Sequence, residues 1–256
     1  MEDIAQLFNL AKGDNADADS ALRALHHLGT EGVLDQAISW TRSQDPVERA
    51  CALDVLGQIG VTSGNSNNRY PEIAFNAIAD TLKHETDIHV LCSALISSAH
   101  LRDHRAIPLC LLLIEHPDSE LRYAVACALG SMSNNPEAAA GLIALTHDSD
   151  PKVRDWATFG LGVLGELDSP EIRQALMDRI DDSDTDVREE AAAGLAKRMD
   201  LRILPMLIAM LKGPEVPVRA IEAADLLLNK KDSPDQSDWS GEEYSARLKI
   251  RFGLAD

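Results

Sequence analysis

Apolar residues return at helical spacing along most of the chain, and short polar turns interrupt them. In residues 148–166, DSDPKVRDWATFGLGVLGE, the apolar positions 153, 157, 161 and 164 lie on one face of a helix. Residues 182–199, DSDTDVREEAAAGLAKRM, repeat nearly the same line 34 positions later. No segment shows a convincing strand pattern. The pattern therefore predicts an all-α fold built from a repeated helical unit.

The position held by Arg154 locates the other copies of this line. Arginine holds it in five copies and another residue holds it in two weaker ones: Arg49, Arg122, Arg154, Arg188 and Arg219, then Ala18 and Leu91. Successive copies are 31, 42, 31, 32, 34 and 31 residues apart. The long gap contains VTSGNSNNRYP at 61–71, a polar segment that predicts a loop inserted after one unit.

Each unit is predicted to contain two helices. First helices are predicted over 71–84, 105–116, 136–147, 169–180 and 201–211, several with proline near the first turn. The second helix begins at an acidic residue, a good N-cap, four positions before the one aligned with Arg154: Asp14, Asp45, Asp87, Asp118, Asp150, Asp184 and Glu215. Gly29, Gly60 and Gly165 are predicted to end three of these helices in the left-handed conformation. Such short helix pairs cannot bury their apolar faces alone, so the units must stack.

The line D-x-x-V-R-x-x-A-x-x-x-L-G, running from Asp150 to Gly162, resembles the short HEAT repeat of the phycobilisome-lyase type. The resemblance covers roughly residues 14–230. It implies a right-handed α-solenoid of about seven HEAT-like helical hairpins, with the second helices lining the concave surface. It also implies that the arginines of the line pair with acidic groups between repeats. The departures at Ala18 and Leu91 predict a cap at the first unit and a looser joint at the third.

The predicted solenoid occupies residues 1–230 and a different segment follows it. Its units are expected near 14–44, 45–86, 87–117, 118–149, 150–183, 184–214 and 215–230. Residues 231–256 are expected to form a polar linker followed by a C-terminal capping helix, GEEYSARLKIRF, or a partly ordered tail.

Charge and cysteine usage narrow the classes of partner and compartment. The net charge of -18 and a pI near 4.7 disfavour nucleic-acid binding and favour a basic protein partner. Cys51, Cys92, Cys110 and Cys127 form no C-x-x-C, which favours reduced thiols in a cytosol. Neither a leader nor a run of 18 apolar residues is evident, so we expect a soluble cytoplasmic protein that does not enter a membrane.

Candidate catalytic and metal-binding residues are few. His84-Glu85 resembles the pairs that hold two irons in HEAT-repeat hydroxylases, but that family needs several such pairs. His89 lies one position too late for a zincin motif, and His100 with His104 lacks a third ligand. Neither a nucleophile elbow nor a phosphate-binding glycine loop is present. We therefore predict no catalytic residues, no metal and no cofactor.

A candidate binding surface emerges from aromatic and acidic positions on the second helices. Tyr123, Trp156 and Phe159 are offset from the buried positions and are predicted anchors for a partner, or else fill space left by Gly160 and Gly162. Asp155, Glu189 and Glu190 stand beside them and would form an acidic rim, although acidic caps and solvated turns are also ordinary in such repeats. Trp40 and Trp239 are predicted packing or capping residues.

The five arginines of the line, Arg49, Arg122, Arg154, Arg188 and Arg219, are predicted to be structural. An active site seldom occurs in five evenly spaced copies, so ion pairs between repeats and hydrogen bonds to loop carbonyls explain them better. We refer to these five residues as the repeat arginines.

The function predicted from these features is a non-enzymatic scaffold that holds a basic protein partner on an acidic concave surface. Small bacterial HEAT-repeat proteins of this length also resemble immunity proteins that neutralise a toxin, which would suit a basic toxin domain. The alternative is a bilin-chromophore lyase acting on a phycobiliprotein, and a third interpretation is a subunit of a larger assembly. The sequence leaves open the partner's identity, the oligomeric state and a small ligand in the groove.

Overall fold

The computed structural model describes residues 3–13, 16–230 and 238–254, in which every regular element is a helix. The chain divides into two compact units, residues 1–132 and 133–256. A single backbone bridge, between Thr62 and Asn65, supplements the helices of the described residues. The predicted all-α class is therefore confirmed.

The first unit contains eight helices in the described part of the chain. They are α1 (Ile4–Ala11), α2 (Ala16–Leu28), α3 (Glu31–Trp40), α4 (Pro46–Gln58), α5 (Pro71–His84), α6 (Ile88–Leu101), α7 (Ile107–Leu111) and α8 (Ser119–Gly130). Helices α4, α6 and α8 lie side by side, and α5 packs against α6. Leu53, Leu56, Leu95 and Leu121 are fully buried between these layers, because each helix carries apolar residues at helical spacing.

The second unit repeats this arrangement. Its helices are α9 (Pro136–Leu145), α10 (Pro151–Phe159), α11 (Pro170–Met177), α12 (Thr185–Lys197), α13 (Leu204–Leu211), α14 (Val218–Leu228) and α15 (Gly241–Phe252). Helices α10, α12 and α14 form the inner row. A π-helical turn, Gly160–Leu164, continues α10, and it packs against α12.

Helix starts follow the acidic residues at five of the predicted positions. The side chains of Asp45, Asp87, Asp118, Asp150 and Asp184 each accept a hydrogen bond from a backbone N–H of the first turn. The prediction for Glu215 is wrong, because α14 begins only at Val218, after Pro217. A residue before proline is pushed out of the helical region, so the helix cannot include Val216. The predicted cap Asp14 lies outside the described residues.

The predicted glycine ends are confirmed at two positions and wrong at the third. Gly29 and Gly60 have φ of 49° and 83°, the left-handed conformation that favours glycine. Gly165 instead has φ -73° and ψ 139°, because the chain leaves the π-helical turn in an extended conformation. Glycine is still needed there, since a Cβ atom would lie 2.9 Å from the carbonyl oxygen of Leu161.

Several predicted first helices are shorter in the structure. The segment 71–84 forms α5 throughout, whereas 105–116 yields a 3-10 turn, His104–Ala106, and only the five residues of α7. At the C-terminus, α15 spans the predicted GEEYSARLKIRF, begins with a capping box between Ser240 and Glu243, and packs against α13 and α14. The helical alternative is therefore the one that the structure shows, while the linker at 231–237 lies outside the described residues.

The repeat arginines share a contact with the turn that precedes their own helix. The Nη1 atom donates to the carbonyl oxygens five and six residues earlier, over 2.6 to 3.3 Å, in Arg49, Arg122, Arg154 and Arg188. Two of them also reach a carboxylate beyond the next first helix: Arg49 bonds Glu85 at 2.7 Å and Arg154 bonds Asp182 at 2.8 Å. Arg219 differs, because it pairs with Glu190 and Glu222.

Arg154→Ala is expected to lower the free energy of unfolding by about 2 kcal/mol, because the Asp182 carboxylate, whose side chain is 4% exposed, loses its main partner. Burial alone raises the pKa of Asp182, but hydrogen bonds from Arg154 and the Asp184 backbone bring it below its usual value. A carboxyl with a depressed pKa stabilises the fold above its unfolded pKa and loses this effect as pH falls. Urea unfolding should therefore show the deficit at neutral pH and a smaller one below about pH 4.

Arg188→Ala is the matched control for this prediction. Arg188 makes the same pair of carbonyl contacts and one to Thr185, and its own bonds are to neutral groups. We expect a loss of about 1 kcal/mol. Equal losses in the two variants would show that the Arg154–Asp182 pair adds nothing.

Candidate functional site

Five of the predicted binding residues come together on the inner row of the second unit. Asp155, Trp156 and Phe159 lie on α10, and Glu189 and Glu190 lie on α12. All five are half-buried. We call these residues the acidic aromatic surface.

The centre of this surface is a pair of aromatic rings one helical turn apart. The ring centroids of Trp156 and Phe159 are 5.4 Å apart with an interplanar angle of 54°. The guanidinium of Arg219, on the neighbouring α14, lies 5.6 Å from the Phe159 centroid, within cation–π range. The aromatic pair is thus already one that accepts a guanidinium group.

Glu190 lies beside this pair and has one unused oxygen. Its Oε1 accepts a hydrogen bond from Arg219 at 3.1 Å, and its side chain is 13% exposed. Its Oε2 is buried and has no hydrogen-bond partner among the described residues. Burial raises the pKa of Glu190, and the attraction of Arg219 offsets this only in part. A buried, half-satisfied carboxylate of this kind favours the approach of an external hydrogen-bond donor or cation.

Negative charge on the surface exceeds what Arg219 can balance. Burial and the nearby Asp186 and Asp184 raise the pKa of Asp155 to about 6. Burial and Asp186 also raise the pKa of Glu189. Arg219 is shared between Glu190 and Glu222, at 3.1 and 2.8 Å. The carboxylates therefore repel one another, and a cationic group brought to them would relieve that repulsion.

The structure also locates the residues predicted to be alternatives or further members. The space beside Gly162 is taken by Gly194 and Leu176, since a Cβ on Gly162 would lie 3.1 Å from the Gly194 Cα atom. The aromatic rings therefore do not fill that space. Tyr123 is half-buried on α8, in the first unit, and is described apart from the other five.

The histidines predicted to lack metal-binding partners are held in other contacts. His84 Nδ1 lies 3.1 Å from Asp80, whereas Glu85 binds Arg49, so the two members of the His84-Glu85 pair have different partners. Within residues 3–13, 16–230 and 238–254, three or more His, Cys, Asp or Glu side chains nowhere form a cluster suited to a metal ion. Trp40 packs edge-on against Phe8 at 4.9 Å, and Trp239 packs against Tyr244 at 5.2 Å.

The repeated helix pairs place the chain in a known family. The family model described as HEAT repeats matches residues 75–162 and 140–227, which together span more than half of the chain. The chain belongs to the HEAT-repeat proteins. Its helices accordingly form an α-solenoid of HEAT-type repeats, as the sequence predicts.

Several HEAT-repeat relatives share this fold along most of the chain. Protein YibA of Escherichia coli strain K12 is 26% identical over 232 residues, which are 88% of this chain and 80% of YibA. The X-ray structure of Escherichia coli YibA has a TM-score of 0.73 at 23% identity and covers 96% of this chain and 92% of its own.

More distant solved structures have the same repeat. The archaeal HEAT-like repeats protein from Thermococcus onnurineus NA1 has a TM-score of 0.57 at 15% identity, covering 89% of this chain and 96% of its own. The complex of CpcE and CpcF of phycocyanin lyase from Nostoc sp. PCC7120 has a TM-score of 0.52 at 15% identity, covering 100% and 96%. At these identities the likeness is one of fold.

Two features of this HEAT-repeat chain escaped the sequence analysis. A groove of about 610 Å³ in the first unit is lined by Val47, Asp87, His89 and Cys92 among others. The second is Arg198, a 7% exposed residue whose guanidinium donates to carbonyl oxygens alone among the hydrogen bonds of the described chain. Neither carried a signal, because the acidic positions read as helix caps and Arg198 lies outside the repeated line.

The cysteines and the hydropathy of the helices add two plain findings. Cys51, Cys92, Cys110 and Cys127 are all free thiols, and burial raises the pKa of Cys127 to about 12. In the part of the chain that the structure describes, every helix is too short or too polar to span a membrane.

Proposed function

We propose that this HEAT-repeat protein is a binding scaffold whose acidic aromatic surface holds a basic protein partner. The observation that carries the proposal is the juxtaposition of the Trp156–Phe159 pair with Asp155, Glu189 and the half-satisfied Glu190. Half-buried aromatic residues are the commonest anchors of protein interfaces, and opposite charge steers a partner toward them. The net charge of -18 supports a basic partner over an acidic one.

The internal contact of Arg219 supports this choice of partner chemistry. Its guanidinium is held between an aromatic ring and a carboxylate, at 5.6 Å from the Phe159 centroid and 3.1 Å from Glu190. A partner's arginine or lysine could use the same combination at the neighbouring Trp156 and Asp155. We propose Tyr123 as a further anchor in the first unit.

We further propose that the partner is a basic toxin domain and that the chain acts as its immunity protein. The support for this is charge complementarity on a HEAT-repeat surface, since neutralising a toxin requires tight binding and no chemistry of its own. The likeness to the phycocyanin lyase complex is one of fold at 15% identity, so it carries no lyase activity to this chain.

Affinity capture from the native host tests the proposal. The bait is the full chain, compared with the double variant Asp155→Asn/Glu189→Gln. We expect the wild type to retain a basic protein at low salt and to lose it at high salt, and the variant to bind it about tenfold more weakly.

The control variant is Asp181→Asn/Glu215→Gln, which removes two exposed carboxylates and the same net charge. It should retain the partner as the wild type does. Equal loss in both variants would mean that net charge, and not the acidic aromatic surface, holds the partner. Retention by both would remove these carboxylates from the site.

Partner affinity is expected to fall as the pH is lowered through the pKa of Asp155, which is about 6 in the free protein. A cationic partner binds the ionised carboxylate better, so the ionised form above this pKa is the binding form. Titration calorimetry between about pH 7.5 and about pH 5 should show this loss, and Asp155→Asn should flatten it. An unchanged pH profile in Asp155→Asn would assign the dependence to another group.

A further inference from the structure

The insertion at residues 61–70 folds into a fixed loop in the first unit. Thr62 and Asn65 exchange two backbone hydrogen bonds, at 2.7 and 3.1 Å. Asn68 Nδ2 donates to the carbonyl oxygens of Leu56 and Gly57 at the end of α4, at 2.7 and 3.2 Å. Arg69 Nη1 donates to the Gly29 carbonyl at 3.2 Å. These bonds hold the loop over the ends of α4 and α6.

A cavity of about 560 Å³ lies between this loop and the two helices. Its polar lining consists of side chains that donate hydrogen bonds: Gln58, Ser66, Asn67, Asn68, His100 and Arg102. This volume is that of a small-molecule site. The cavity exists only because the insertion is present, since the loop supplies Ser66, Asn67 and Asn68 of its lining.

The charge of this cavity is opposite to that of the protein. Its lining contains Arg102 and lacks any Asp or Glu, although the chain has 42 acidic and 24 basic residues. The two other cavities of the first unit are lined by Asp87, and one of them also by Asp118 and Glu120. Carboxylates are thus kept away from this cavity alone among the three.

Arg102 is placed at the cavity by an unfavourable backbone conformation. It ends α6 with φ 52° and ψ 32°, where glycine is the usual residue. Its side chain is exposed and makes no hydrogen bond or ion pair within the described residues. Partial burial and Arg102 itself lower the pKa of the adjacent His100, so the imidazole is neutral at neutral pH. The cavity therefore presents one unpaired guanidinium among neutral donors.

We infer that this cavity binds a small metabolite through an oxyanion, a phosphate or a carboxylate, held by Arg102 with His100 and the loop amides. A guanidinium forms paired hydrogen bonds to either group, and the neutral donors suit the remaining oxygens or hydroxyls. The site is separate from the acidic aromatic surface and its test involves no protein partner.

Titration calorimetry of the full chain with inorganic phosphate, glycerol 3-phosphate and citrate tests the inference, at constant ionic strength. We expect saturable binding of at least one probe. Arg102→Gly should weaken it roughly tenfold by removing charge-assisted hydrogen bonds. This variant also relieves the left-handed backbone, so thermal stability should be kept or raised. Loss of binding in a variant of undiminished stability would not reflect unfolding.

The control is Arg42→Ala, which removes an exposed arginine from the turn after α3 and makes a change of equal charge. It should bind like the wild type. Preference for glycerol 3-phosphate would identify a phosphate ester, and preference for citrate a polycarboxylate. The inference is overturned if no probe binds saturably, or if the Arg102 and Arg42 variants weaken binding equally.

Discussion

Replacing Trp156 and Phe159 together by alanine is expected to weaken partner binding by about 2 kcal/mol or more, roughly thirtyfold in Kd. The two rings are half-buried and lie 5.4 Å apart, so they present a rigid apolar contact at little cost in side-chain entropy. Binding calorimetry with the captured partner measures the change. Far-ultraviolet circular dichroism should show the helical content unchanged.

Phe75→Ala provides the matched control for the aromatic variant. Phe75 is also half-buried and lies under an arginine, with Arg105 at 4.0 Å from its centroid, but it belongs to the first helix α5. Its loss should leave partner affinity unchanged. If the Trp156/Phe159 variant unfolds, the rings belong to the core, and if it binds normally, the acidic aromatic surface is not the interface.

Arg198→Met is expected to lower the free energy of unfolding by about 3–5 kcal/mol, the largest stability effect that we predict. The guanidinium donates six hydrogen bonds, of 2.7 to 3.2 Å, to five carbonyl oxygens: Leu161, Gly162, Gly165, Leu167 and Gly194. Four of these belong to the π-helical turn and the segment after it, where the helical ladder stops. Methionine keeps much of the volume but leaves these buried acceptors without a donor.

Urea unfolding followed by circular dichroism measures this loss. Arg198→Lys should fall between the wild type and Arg198→Met, because one ammonium group cannot reach five carbonyls. Arg202→Met is the control, since Arg202 is 50% exposed and its partner Asp200 keeps Arg173 at 3.5 Å. We expect it to cost about 1 kcal/mol or less. A similarly small loss in Arg198→Met would show that water replaces the guanidinium.

Arg198 also links the fold to the candidate site. It ties the π-helical turn that follows Phe159 to α12, and Glu190 lies on the same α12 one turn before Gly194. Gly162 and Gly194 approach so closely that a Cβ on Gly194 would lie 2.6 Å from the Gly162 Cα atom. The spacing of α10 and α12, and with it the placing of aromatic rings beside carboxylates, depends on these three residues.

The sequence by itself determined the features that depend on neighbours along the chain. Apolar periodicity located the inner helices, and aspartates such as Asp150 and Asp184 marked their starts, because an N-cap bonds only to the next turn. The position of α15 and the insertion after α4 were likewise legible, since turn residues and capping boxes are local signals.

Only the tertiary structure decided the features that join distant residues. The carbonyls bound by Arg198 lie up to 37 positions away from it, and Glu190 meets Arg219 across 29 positions. The π-helical turn replaced the predicted left-handed end at Gly165 because the approach of Gly162 to Gly194 shapes the backbone there. The charge of the cavity beside Arg102 was equally hidden. Such contacts form when repeats stack, and one repeat's own residues carry no record of what the next will place against them.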